Sequence, residues 1–349
     1  MKKILVVSFV IILVAVIVYV LSSRKKGALE SQSMQRDKLS IAAIWPDTIE
    51  VCSFNIQFLG SFKKRDDEAL ADILKDYDIV VVQELVAPPY DGIYPDGESY
   101  TGDTEAAEFF DAMQDHGFSY WLSEEDTGTG DDIHKKSSAT EWFVSFYKPN
   151  IVAAAFDLPH GFLAEDRSNN ADFERVPFAF SFRSSNHRLD FVLISVHLQP
   201  GDRPSERERR AHELSTISTW IEENSIAEQD HLILGDMNIY DAEELADITP
   251  PGFLSLNDEC RMTNTLSIAG KGEPNDHVMY NPAATSEIDA PFDIFVVDLI
   301  NAMRPYWQED APFPGDPYVH NTFKQYYSDH FPVVFRLITP MQDDDGVAM

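Results

Sequence analysis

Cysteine is almost missing from this sequence. Cys52 and Cys260 are the only two, too few for a disulfide framework or a thiolate metal cluster. Any metal ion must be held by oxygen and nitrogen donors. Positive charge is scarce as well, with 27 Lys and Arg against 59 Asp and Glu. Seven of the bases and two of the acids fall in the first 39 residues, which leaves 20 bases against 57 acids, or −37, for residues 40–349. Such a field repels polyanions at long range. It works against tight non-specific binding to DNA, which depends on Lys and Arg neutralising phosphates, but leaves room for a small, locally positive site. Internal repeats and low-complexity blocks are also missing beyond the N-terminus. No Pro/Gly-rich linker divides residues 48–340, which therefore read as one domain. Hydrophobic residues, at 44%, suffice for a full-sized core.

What is present begins with an apolar run. Residues 4–21 are interrupted only by Ser8 and Tyr19, and as a helix they span roughly 27 Å, enough for a bilayer core. Lys2 and Lys3 precede the run; Arg24, Lys25 and Lys26 come after it. A cleaved signal peptide is the competing reading. This run is longer than the usual apolar region of such a peptide, and it exits through Val20 and Leu21 without a small-residue cleavage pattern. Residues 1–21 are expected to form a single-pass N-terminal transmembrane helix that makes the membrane a partner. Residues 22–47 then form a basic tether and 341–349 an acidic tail. Basic residues flank both ends of the run, so the positive-inside rule barely orients it. An extracytoplasmic domain is expected, because short N-terminal anchors usually export the domain attached to them.

From Ile49 onward, strand-type runs recur with helices between some of them. Ile49–Phe54 reads as a strand. Asp67 is expected to cap a helix in which Leu70, Ile73, Leu74 and Tyr77 share one face. Asp78–Gln83 contains four consecutive apolar residues, the mark of a strand buried on both faces. Thr104–His116 reads as helix. Trp142–Tyr147, Ile151–Phe156, Val176–Phe182 and Leu189–Val196 read as strands. Ser205 with Glu208 suggests a capping box opening a helix that buries Ala211, Leu214, Ile217 and Ile221, with Arg207, Arg209 and Arg210 spread over its solvated side. His231–Leu234, His277–Tyr280, Phe292–Val297 and Phe331–Leu337 are the late strands. Two sheets packed face to face with helices outside is the economical way to cover these elements.

Several of these strands end alike: an apolar run stops and oxygen or imidazole side chains come next. Asn55 follows Phe54, Glu84 follows Gln83, and His197 follows Val196. Asp236 and Asn238 follow Leu234, while Asp329 and His330 precede Phe331. Each alone is an ordinary turn or sheet-edge residue. Their joint order and type point to one polar pocket at a sheet edge.

The segments SFNIQ (53–57), VVQE (81–84), SVHL (195–198), LGDMN (234–238), NDHV (275–278) and SDHFPV (328–333) together resemble, in order, the motifs of the endonuclease/exonuclease/phosphatase superfamily. Residues 139–149 and 173–182 are similar to segments of its deoxyribonuclease I branch. The resemblance covers about 290 residues. It implies a four-layered α/β/β/α sandwich of two packed, mostly antiparallel sheets, agreeing with the packing argument, and divalent-metal-dependent hydrolysis of phosphodiesters.

A phosphodiester repels its nucleophile, so the site needs a cation and a prepared water. Mg²⁺ asks for hard oxygen ligands and few protein carboxylates; Mn²⁺ or Ca²⁺ are alternatives. Glu84, Asn55 and Asp329 are the candidate ligands. His197 and His330 suit proton transfer near neutral pH. The resemblance gives them Glu141 and Asp276 as orienting carboxylates. His330 is assigned to the attacking water and His197 to the leaving oxygen, although the residues themselves do not decide which does which. Asp236 and Asn238 are expected to hold the water and a phosphate oxygen, and Arg175 to grip a non-bridging oxygen. His277 reads as structural.

The sequence departs from deoxyribonuclease I at three places. Gln57 replaces a phosphate-contacting arginine, Val86 a basic residue, and Ala139 a tyrosine, the last two being minor-groove contacts in the relative. Nucleic acid is the leading substrate class. A phosphoinositide phosphatase or sphingomyelinase-like phospholipid hydrolase is the alternative, although Ile239 and Tyr240 follow the GDMN segment where a polyphosphate ring would want a base. An inactive membrane-tethered binding domain would have lost a chemical group, and all are present.

Overall fold

The computed structural model describes residues 48–340, apart from 63, 136–139, 165 and 169. The proposed anchor, tether and acidic tail, and Ala139, lie outside the described residues. Among the described residues no helix is long and apolar enough to cross a membrane.

The strands divide between two large sheets. The first runs β14 (Phe295–Val296), β15 (Val333–Ile338), β1 (Thr48–Leu59), β2 (Ile79–Leu85), β6 (Trp142–Tyr147), β5 (Ser119–Leu122). The second runs β12 (Leu254–Ser255), β13 (Asp276–Tyr280), β11 (His231–Asp236), β10 (Asp190–His197), β9 (Phe178–Ser184), β7 (Val152–Ala154), with β8 (Gly161–Phe162) pairing β9. Each sheet has a single parallel pair, β1 with β2 and β10 with β11; the other neighbours are antiparallel. A parallel pair needs a crossover connection. Helices α1 (Asp67–Leu74) and α3 (Pro204–Asn224) supply the two crossovers.

The side-chain period of two divides every central strand between two cores. Ile79 and Val81 of β2 point between the sheets, where they pack with Phe180, Leu193, Leu232, Leu234 and Val278 of the second sheet. Val80 and Val82 point outward to a core shared with α1, α2 (Thr104–Asp115), α5 (Leu299–Met303) and α6 (His320–Tyr326). Val192, Ile194 and Ile233 face the third core, which Leu214, Ile217 and Ile221 of α3 close together with Leu245 and Ile248 of α4 (Ala242–Ile248). The layers are thus helix, sheet, sheet, helix. The four consecutive apolar residues of β2 are explained by burial on both faces.

Differences from expectation lie at element ends and in one charged side chain. Helix α1 is capped by Asp66, whose carboxylate accepts the Ala69 N–H at 3.2 Å, while Asp67 is its buried first residue. Helix α3 starts at Pro204, where the missing N–H costs nothing, and the Arg203 N–H donates to Glu206 at 2.7 Å; the Ser205–Glu208 box does not form the start. Two expected strands shrink to Val152–Ala154 and Phe295–Val296. Arg210 is not solvated. It is fully buried, donating from Nε to Glu244 at 2.8 Å and from Nη1 to the carbonyls of Gln199 and Gly201 at 2.8 and 2.7 Å. Ala211 is only half-buried. A small hairpin, β3 (Gly92–Ile93) with β4 (Ser99–Tyr100), joins β2 to α2.

Candidate active site

The two parallel pairs bring their C-terminal ends to the same edge. In β10/β11 the register sets His197 opposite Asp236. In β1/β2 it sets Asn55 opposite Gln83, with Glu84 next along. The backbone then turns sharply. Gln57, Glu84 and Asn238 all have φ between +50° and +63°, a region that costs a non-glycine residue of order 1 kcal/mol or more. Hydrogen bonds hold them there. The Glu84 N–H donates to Glu141 Oε2 at 2.6 Å, Phe58 N–H to Glu84 Oε2 at 3.1 Å, and Asn238 N–H to Asp236 Oδ1 at 2.9 Å.

The side chains meet on Asp236. His197 Nε2 is 3.6 Å and His330 Nε2 3.5 Å from the same oxygen, Asp236 Oδ2. Asn55 Nδ2 donates to that oxygen at 3.0 Å and to Glu84 Oε1 at 2.9 Å. Behind each imidazole stands a carboxylate: Glu141 Oε1 is 3.0 Å from His197 Nδ1, and Asp276 Oδ2 is 2.8 Å from His330 Nδ1. Each pair fixes a tautomer and a ring orientation. Asp329 accepts a hydrogen bond from Gln57 Nε2, with Lys324 Nζ at 3.9 Å. Arg175 is buried with Nε 3.5 Å from Glu141 Oε1. Asn238 donates from Nδ2 to the Leu198 carbonyl at 3.0 Å. Every expected site residue therefore falls in one connected network.

Burial alone would push all these groups towards their neutral forms. Glu84 goes that way: burial raises its carboxyl, and Asp329 and Glu141 add to it against His197 and Asn55. Asp276 is likewise raised by burial, against the pull of His330. In Glu141 the burial effect is outweighed by His197 and Arg175, and in Asp236 by His330 and His197, so both lie below the usual carboxylate range. Burial and Arg175 lower His197, but Glu141 and Asp236 carry it above its ordinary value. His330 is carried well above, with Asp276 and Asp236 overcoming burial.

Several contributors were not singled out from sequence. Ser328 Oγ donates to the Asn55 carbonyl at 2.8 Å and accepts the His330 N–H at 3.0 Å. Thr263 Oγ1 accepts the Asp276 N–H at 2.9 Å. Thr127 donates its N–H to the Glu141 carbonyl at 2.7 Å and accepts the Glu141 N–H on Oγ1 at 3.2 Å. Ser328 sits inside the SDHFPV segment and was within reach; Thr127 and Thr263 lie in loops with no signal. Gln57, where the relative has an arginine, donates from Nε2 to Asp329 and so positions it. His277 lies outside the network: burial pushes its imidazole down to about 4, and its Nδ1 is 2.9 Å from Ser255 Oγ.

The donor set suits a hard divalent cation. Glu84 and Asp329 are carboxylate oxygen donors, and the ligand atoms of Glu84, His197 and Asp236 lie within 4.8 Å of one another. Asn55 turns its Nδ2 to Glu84 and Asp236 while its Oδ1 accepts the Gln57 N–H at 3.0 Å. The five carboxylates Glu84, Glu141, Asp236, Asp276 and Asp329 outnumber the four groups able to carry positive charge, His197, His330, Arg175 and Lys324.

The model of the Endonuclease/Exonuclease/phosphatase family matches residues 52–330. No curated protein matches. Among solved structures, the human Nocturnin catalytic domain with bound sulfate anion is 13% identical with a TM-score of 0.50, over 83% of this chain and 92% of that one. A functionally unknown conserved protein from Enterococcus faecalis V583 is 15% identical with a TM-score of 0.50, over 82% and 98%. D. rerio TDP2 complexed with single strand DNA product is 13% identical with a TM-score of 0.49, over 83% and 99%.

Proposed function

Because the chain belongs to the endonuclease/exonuclease/phosphatase family, we propose that it hydrolyses phosphodiester bonds in a nucleic-acid strand, with Mg²⁺ or Mn²⁺ as cofactor. Glu84, Asn55 and Asp329 would hold the ion. When bound, such an ion polarises a phosphoryl oxygen and neutralises the charge that builds there.

The remaining steps belong to the side chains. His330, steadied by Asp276, takes the proton of the attacking water when in its neutral form, which Asp276 and Asp236 disfavour by holding the imidazole well above its ordinary value. His197, steadied by Glu141, delivers a proton to the leaving oxygen. Asp236 lies between the two imidazoles and keeps both charged forms accessible, while Asn238 fixes the turn that presents it. Arg175 braces Glu141 and supplies positive charge towards a non-bridging oxygen. The single observation that carries this reading is that both Nε2 atoms lie 3.5–3.6 Å from one oxygen of Asp236, which Asn55 ties in turn to Glu84. A merely structural network has no need of two separately buttressed imidazoles facing one carboxylate.

The test is a substrate panel with Mg²⁺ or Mn²⁺: single- and double-stranded DNA, RNA, bis(p-nitrophenyl) phosphate, a phosphoinositide and sphingomyelin. Cleaved strands support the proposal. Release of inorganic phosphate from the phosphoinositide, or of a phosphorylated head group from sphingomyelin, would move the substrate to the lipid class. His330→Ala should lower kcat by about 10²–10⁴-fold, the range for loss of a positioned general acid or base. An unchanged rate removes the mechanism, and no turnover on any substrate leaves a binding domain.

A further inference from the structure

Outside the active site, the described residues hold a second place where an imidazole and two carboxylates converge. The ligand atoms of Asp96, Glu98 and His134 lie within 4.8 Å of one another. Asp96 and Glu98 sit on the tip of the β3–β4 hairpin. There the Tyr94 N–H donates to the Glu98 carbonyl at 2.8 Å, and the Glu98 N–H donates to Asp96 Oδ1 at 2.9 Å. The other oxygen, Asp96 Oδ2, is 3.5 Å from His134 Nδ1.

His134 comes from the loop between β5 and β6, and its ring is held from two sides. It lies flat on Tyr94, with centroids 3.6 Å apart and planes 7° from parallel. Its Nε2 is 2.9 Å from Glu125 Oε2, and Glu125 Oε1 is itself paired with Arg167 at 2.6 Å. A buttressed carboxylate behind the far nitrogen is the arrangement that sets the tautomer of a metal-bound histidine and aims its near nitrogen. Donation of Nε2–H to Glu125 leaves a lone pair on Nδ1. That lone pair and the Asp96 oxygen are spaced like two ligands of a tetrahedral ion, which at bonds of about 2.0–2.1 Å lie about 3.4 Å apart. A cavity of about 250 Å³ adjoins the group, with Tyr94, Glu98, Tyr100, Asp126, His134 and Trp142 in its wall, so an ion and its waters have access.

We propose that Asp96, Glu98 and His134 form a second divalent-metal site, separate from the catalytic one and selective for Zn²⁺ or a similar transition ion. The imidazole is what selects. Mg²⁺ and Ca²⁺ take oxygen ligands, whereas a mixed nitrogen–oxygen set favours Zn²⁺. The ion would clip the hairpin to the loop that carries Thr127, the residue holding both backbone groups of Glu141. It would thereby stiffen the support of His197.

The two sites share no residue, so their fates separate. Zn²⁺ is titrated calorimetrically into the full-length chain carrying Glu84→Ala, with excess Mg²⁺ present. One Zn²⁺ equivalent is expected to persist there, to weaken at least tenfold on adding Asp96→Asn, and to vanish on adding His134→Ala. Melting of these variants in EDTA serves as the folding control. Should His134→Ala fail to fold, Asp96→Asn carries the comparison, since that side chain is 52% exposed. Binding that both variants leave at parental affinity, or no Zn²⁺ bound by the parental Glu84→Ala chain, overturns the proposal. Activity of the unaltered protein tests the phosphoesterase reading independently.

Discussion

At the scale of single residues, Asp67 sits in an uncomfortable environment outside the active site. It is the first residue of α1, buried at 7% exposure, with Glu105 nearby and no hydrogen bond to Oδ1 among the described residues. Burial first, and Glu105 second, push its carboxyl up to about 8, against the attraction of Arg65. The folded chain therefore keeps this proton until about pH 8, whereas the unfolded chain releases it near pH 4. Between those values the folded state binds the extra proton, so stability falls as pH rises through the window. Asp67→Asn keeps the neutral shape and removes the linkage. Urea unfolding should show the variant more stable than the parent at pH 8 by on the order of 2 kcal/mol, with the gap closing by pH 4. An equal gap at both pH values would refute the assignment. Residues of this kind are where sequence reading stops. Asp66 and Asp67 are indistinguishable as helix caps until the path of the chain decides which carboxylate faces water. The active-site side chains were legible because each follows an apolar run, and the run itself tells where the strand ends. Thr127 and Thr263 were not, because loop residues acquire partners only through contacts distant in sequence.

Among the elements, α3 and α4 are joined by the fully buried Arg210 and Glu244. Arg210 also ties down the carbonyls of Gln199 and Gly201, which come just after His197 in the chain, and its guanidinium lies 5.3 Å from the Tyr240 ring centroid. Removing one partner strands the other charge in the interior. Arg210→Ala should therefore destabilise the fold by about 3–5 kcal/mol in urea unfolding. Arg210→Met combined with Glu244→Leu should recover most of that loss, because it replaces a desolvated pair by packed apolar volume. If the double variant is no better than the single, the cost lies in the carbonyl contacts rather than in the stranded charge. Helical spacing alone spreads Arg207, Arg209 and Arg210 around α3 and cannot tell that α4 covers one of them. The same limit applies to the other elements. The long strands and the amphipathic helices α1 and α2 were readable from their periods. Short elements such as β12, β14 and α5 take their shape from the sheets they lie against.

At the scale of the whole molecule the dominant feature is charge, −37 over residues 40–349. The arginines on the described surface do little to offset it locally, because several are committed between two carboxylates. Arg183 lies between Asp157 and Asp190, Arg207 between Asp202 and Asp241, and Arg261 between Glu259 and Asp293. A polyanionic strand approaching the active site is therefore repelled over the Debye length, about 30 Å at 10 mM salt and about 8 Å at 150 mM. A nuclease that binds through a basic groove loses affinity as salt rises, because released counterions no longer favour binding. Here the sign reverses. With Mg²⁺ fixed at a low concentration, kcat/KM on a single-stranded oligonucleotide should rise roughly two- to tenfold between 10 and 150 mM monovalent salt, as repulsion is screened. On bis(p-nitrophenyl) phosphate, which carries one charge, it should change little. A fall with salt on the oligonucleotide would mean that Arg175 and the protonated imidazoles set a local field stronger than the molecule's total charge. The strand would then be drawn in by the site itself.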